Sequence, residues 1–120
     1  MKRKHHDLQV WQISILLVKE IYVLTSRFPA DERYGLTSQM RRSAVSVPSN
    51  IAEGSARLGN KEFLHFLGIA RGSLSELETQ LVIARTLDYA AETTSLEKQI
   101  DDIFGLLGGL INAIKKSISL

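Results

Sequence analysis

The chain has no cysteine. That excludes disulfides, thiolate metal sites and cysteine nucleophiles together, and it agrees with a cytoplasmic protein. Proline is nearly as scarce, with only Pro29 and Pro48. No window approaches the roughly 18 uninterrupted apolar residues of a membrane span. The apolar stretch after the basic MKRKHH is broken by Gln12, Ser14, Lys19 and Glu20, and no small-residue cleavage site follows, which argues against a signal peptide. Sustained period-two alternation and low-complexity tracts are also missing. So are the glycine-rich phosphate loops of nucleotide enzymes, because the clustered Gly105, Gly108 and Gly109 fall inside a helical pattern.

What is present suits one folded domain over residues 1–120. With 44% hydrophobic and 23% charged residues the composition is that of a globular chain. At this length about two-thirds of the unfolded surface can be buried. The net charge is only +2, but it is unevenly spread. Up to Arg71 there are eleven Lys/Arg against six Asp/Glu; from Gly72 to Ile114 there are two against seven; Lys115 and Lys116 follow. Such polarity can offer a basic end to phosphates or pair halves between subunits.

Apolar spacing of three and four predicts four helices, at about residues 7–28, 37–57, 60–88 and 94–118. The first, with Asp7 as cap, aligns Val10, Ile13, Leu17, Ile21, Leu24 and Phe28. The second, with Thr37 as cap, aligns Met40, Ala44, Val47 and Ile51, with a kink or break expected at Pro48. Asn60 can cap the third, which aligns Phe63, Leu67, Ala70, Leu74, Leu77, Leu81 and Ala84. The fourth opens on Thr94-Ser95-Leu96-Glu97, the pattern of a capping box, and aligns Leu96, Ile100, Ile103, Leu107, Leu110 and Ile114. Short connections favour antiparallel neighbours, so the expected fold is all-α, an antiparallel up-down-up-down four-helix bundle with a kinked second helix. Gly68 and Gly72 on one face of the third helix suggest close approach of another helix. Extra apolar faces, Trp11 with Ile15, Val18 and Tyr22, and Phe104 with Ile111, suggest self-association.

Chemistry is harder to find. Glu62 and His65 form a Glu-x-x-His pair, but a carboxylate-bridged di-iron site needs a second pair that the fourth helix, lacking histidine, cannot supply. Ser43, Ser46 and Ser49 share a helix with Glu53 and have no histidine at helical spacing, so no nucleophile and base are expected. No catalytic residue, metal ligand or cofactor is assigned. Phosphate contact is the more credible activity, through Lys2, Arg3 and Lys4 as one cluster and Arg41, Arg42, Arg57 and Lys61 as another around the second connection.

The run Gln39, Arg41, Arg42, Ser46, Pro48, Asn50-Ile51-Ala52-Glu53-Gly54, then Lys61-Glu62-Phe63, Leu67, Ala70, Gly72-Ser73 and Glu76 to Gln80 resembles the 23S rRNA intervening-sequence proteins, also called the S23 ribosomal protein family. The resemblance spans almost the whole chain, from Leu8 to Trp11 through YGLTSQ to the leucine-rich end. It implies an antiparallel four-helix bundle that assembles as a homopentamer. It also implies association with RNA or another nucleic acid, or with a protein partner, since a related group serves as accessory factors binding reverse transcriptase and nucleic acid in diversity-generating retroelements. Two readings stay open: a non-enzymatic, oligomeric nucleic-acid-associated module, and a protein-interaction scaffold. The signature residues Ser46, Pro48, Asn50, Glu53, Gly54 and Gly72 are expected to be architectural, with Asn50 and Glu53 satisfying polar groups freed at Pro48.

Overall fold

The computed structural model describes residues 2–119. Among them are four α-helices, α1 Gln9–Thr25, α2 Leu36–Ser55, α3 Asn60–Thr86 and α4 Thr94–Ser119, with 3-10 turns at Lys4–Asp7 and Ala30–Glu32 and no strand. Each helix touches two others, in the cycle α1, α2, α3, α4, and α2 with α3 is the most extensive pairing. The result is a bundle with one apolar seam at its centre.

That seam follows from periodicity. Leu17, Ile21, Met40, Ala44, Val47, Ile51, Leu67, Ala70, Leu74, Leu77, Leu81, Ile100, Ile103 and Leu107 are all buried at the three-and-four spacing of one face per helix. On α4 and α1 the stripes depart from expectation. Ile111 is buried in the core, while Leu110 and Ile114 only pack partly against it. On α1 the buried stripe takes Ser14 and Thr25, with Ile13 and Leu24 half-buried. Burial of these hydroxyls is tolerated because each bonds back to its own helix: Ser14 Oγ donates to the Trp11 carbonyl at 2.8 Å and Thr25 Oγ1 to that of Ile21 at 2.7 Å.

The helix caps shift by a residue or more from their expected places. Asp7 ends the 3-10 turn and pairs with Lys2, so α1 starts two residues later. Thr37 is buried inside α2, whose first N–H, on Leu36, donates to Glu32 Oε1 at 3.1 Å. Asn60 is the first residue of α3 and its Nδ2 donates to Ser117 Oγ, 2.9 Å away. At α4 the hydroxyl that meets Glu97 is that of Thr93, at 3.1 Å, one residue before the expected box.

Of the kink or break expected at Pro48, the break does not form; α2 runs through it, with Pro48 buried. Asn50 bonds one turn back, its Nδ2 donating to the Ser46 carbonyl at 2.8 Å and to Ser46 Oγ at 2.9 Å, and not to the Ala44 carbonyl that Pro48 leaves without a helical donor. Glu53 does something else: it pairs with Arg57 one turn on, at 3.0 Å. The close approach is at Gly54, where an added Cβ would lie 2.7 Å from Phe66 Cβ and 3.0 Å from Phe63 Cδ1. Gly68 and Gly72 are exposed, and a Cβ on either meets nothing among the described residues within 4 Å. Their expected role within the bundle is therefore corrected, because the small face of α3 points away from α2 and α4.

Candidate nucleic-acid interface

Two ends of the bundle differ in charge. At one end lie the N-terminal turn, the finish of α2, the start of α3 and the last turns of α4, which the Asn60 to Ser117 bond fastens to α3. This end carries Lys2, Arg3, Lys4, Arg57, Lys61, Lys115 and Lys116 against Asp7, Glu53 and Glu62. At the other end the two longer connections meet. Tyr89 donates its hydroxyl to Glu32 Oε2 at 2.9 Å, Phe28 packs on the Tyr89 ring at 5.4 Å, and Arg85 pairs with Glu97 at 3.2 Å. The hydrogen bond to Glu32 holds the Tyr89 phenol above its ordinary pKa, since a phenolate would face the carboxylate.

The basic end is shaped by the N-terminal turn folding back. Trp11 forms a ring cluster with His5 and His6, with centroids 5.0 and 5.2 Å away, and His6 Nδ1 accepts the Arg3 backbone N–H at 2.9 Å. Gln12 Nε2 closes the turn on the His6 carbonyl at 2.7 Å. Partial burial, then the neighbouring His6 and Arg3, hold the His5 pKa below the usual imidazole value. Arg3, Lys4 and His5 thereby line a recess of about 360 Å³ with Ser55, Ala56 and Arg57. Arg57 is steadied over the Phe66 ring at 4.8 Å as well as by Glu53.

The two expected basic clusters are therefore regrouped. Arg3, Lys4 and Arg57 come together, and Lys61, which does not line their recess, is exposed in the first turn of α3. Arg41 is not among them. It lies near the start of α2, fourteen residues before the helix ends at Ser55 and so roughly 21 Å from that end at 1.5 Å per residue, and its guanidinium is spent on α1: Nε donates to Thr25 Oγ1 at 2.9 Å and the group stacks 4.4 Å over the Tyr22 ring. Arg42 is exposed and lines a separate cleft between α2 and α3. Lys115 and Lys116 joined the basic end without being singled out from sequence; their only signal was the return of positive charge at the finish of α4.

Glu62 and His65 are exposed, and among the described residues no group of three His, Asp or Glu could hold a metal ion. None of these helices is long and apolar enough to cross a membrane.

Fold and charge thus define a four-helix bundle with one basic end. The chain belongs to the 23S rRNA-intervening sequence protein family, whose model matches residues 6–109. That span contains Arg41, Arg42, Arg57, Lys61 and the whole Ser46 to Gly72 signature, while Lys2, Arg3, Lys4, Lys115 and Lys116 fall outside it. Comparison with curated proteins gives no match.

Proposed function

We propose that this protein is a non-enzymatic, self-associating, antiparallel up-down-up-down bundle, bent at Pro48, that contacts RNA phosphates through its basic end. The observation that carries this reading is the recess in which the N-terminal turn brings Arg3 and Lys4 against Arg57. Two segments far apart in sequence supply cations there, and counterion release on phosphate binding scales with the number of such contacts. RNA is the nucleic acid proposed here, in keeping with the family resemblance.

Exposed apolar surface supports the self-association part of this reading. The chain exposes 7355 Å², against the roughly 6,500 Å² expected for a compact monomer of its mass. Leu16, Val23, Val82 and Ile83 are exposed on α1 and α3. A ring of copies, five by the family resemblance, would multiply a modest charge per chain into a multivalent surface.

The test is a titration of labelled structured RNA at several salt concentrations, with Lys4→Glu/Lys61→Glu alongside. We expect affinity to fall steeply with salt and the double variant to bind more weakly with a shallower salt slope, by about 1.5 units for two lost contacts. Absence of salt-dependent binding near physiological ionic strength would sink the RNA reading. Recovery of a protein partner alone would then favour the scaffold.

A further inference from the structure

The cleft between α2 and α3 is distinct from the basic end, and the residues that carry the family resemblance converge on it. It has a volume of about 580 Å³, within the range of roughly 300–1,000 Å³ typical of small-molecule sites. Gln39, Arg42 and Ser46 reach it from one face of α2, and Ser73, Glu76 and Gln80 from one face of α3. Ser46 and Ser73 join across its floor, their hydroxyls 2.8 Å apart, and Asn50 fixes Ser46 from behind.

Several groups in this cleft have no partner among the described residues. Gln80 is 6% exposed, yet its Oε1 is buried without a hydrogen bond. A buried acceptor left unmet costs its desolvation, so such an atom calls for an external donor. Arg42 and Glu76 line the same space and neither makes an ion pair or hydrogen bond. At the rim Tyr34 holds its ring 89% exposed.

These features specify complementary chemistry. The Glu76 carboxylate accepts, and Gln80 Oε1 would do so once its side chain turned toward the cleft, so N–H donors suit the ligand. The exposed Arg42 guanidinium offers an anion a bidentate partner, and the Tyr34 face suits a flat ring. We infer that the cleft binds a nucleotide, with the base edge directed to Gln80 and Glu76, the base against Tyr34 and the phosphate on Arg42. Bases with an exocyclic amino group fit this acceptor pair better than uracil. The inference does not depend on the basic end, which is tested by separate residues.

The experiment is a calorimetric and protein-observed NMR titration with AMP, CMP, GMP and UMP, using ribose 5-phosphate and inorganic phosphate as controls. We expect AMP, CMP or GMP to bind and to shift resonances of Tyr34, Gln39 and Gln80. Tyr34→Ala and Arg42→Ala, both at exposed positions, should each weaken binding about tenfold or more, whereas Lys61→Glu should leave it unchanged. Displacement of the mononucleotide by an unpaired RNA hexamer identifies an unpaired RNA nucleotide as the source; binding of the mononucleotide without displacement identifies free nucleotide. Both outcomes support the site. It is overturned if no mononucleotide binds, if ribose phosphate or phosphate binds as tightly as every nucleotide, or if the two cleft variants leave affinity unchanged. A change of assembly mass in those variants, with no nucleotide bound by the parent chain, would assign the cleft to contact between copies.

Discussion

Glycines of the same sequence type play opposite parts in this molecule. Gly54 is buried where α2 crosses α3, and a methyl group there would press on Phe63 and Phe66. We expect Gly54→Ala to destabilise by about 1–3 kcal/mol, the usual cost of overpacking, read as a lower denaturant midpoint. Gly72→Ala should do the reverse in an isolated bundle, stabilising by up to about 1 kcal/mol because alanine gains helix propensity and meets nothing. Loss of assembly on Gly72→Ala would instead identify the small face of α3 as a contact between copies. Arg41 belongs to the same scale. Its bond to Thr25 and its stacking on Tyr22 make it a strut between α1 and α2. Arg41→Ala should therefore cost about 1–2 kcal/mol of stability, with RNA affinity unchanged in a salt-matched titration.

Among the elements, the connections carry most of the polar structure. At the far end, Glu32 accepts from both Leu36 N–H and Tyr89, so one side chain caps α2 and ties the α1–α2 connection to the α3–α4 connection. Asp88, just past α3, takes a left-handed φ of 61°, a conformation that Asp tolerates better than most residues. At the basic end the N-terminal turn is held by aromatic contact with Trp11, and its titration has a definite sign. His5 is depressed below its ordinary value of 6.5 by burial, His6 and Arg3, so the folded turn binds fewer protons than the unfolded one. The docked turn is then at full stability above about pH 6.5 and loses stability as pH falls through that value and toward the lower folded pKa. Trp11 fluorescence should shift over that acid range in the parent chain and shift less in His5→Gln.

The whole molecule is long and thin, 50 × 26 × 20 Å, and this shape governs how it behaves with partners. A bundle one seam thick leaves apolar residues on its outer faces that a rounder protein of equal mass would cover. Sedimentation at micromolar concentration should give a mass several times 13.4 kDa. A monomer at that concentration would remove the multivalent part of the proposed function, leaving the single-chain basic end to account for any RNA binding.

Helix number, helix order and the greater part of the core were legible in the sequence, because burial of one face per helix imposes a three-and-four spacing that needs no knowledge of neighbours. Leu67, Leu74, Leu77 and Leu81 announce their side of α3 without reference to α2 or α4. The sequence also contained the charge asymmetry and the motif of the family. Only tertiary structure decided what these features touch. It moved the caps, since Glu32 and Thr93 reach helix starts through the geometry of their connections. It separated Arg41, near the start of α2, from Arg57, just past its end. It joined Arg3 and Lys4 to Arg57 across some fifty residues of chain, and it left Gln80 Oε1 buried beside Arg42 and Glu76 in one cleft. Periodicity is a property of a single helix and survives in one dimension; hydrogen bonds, ion pairs and clefts depend on distances between helices, and those exist only once the bundle has closed.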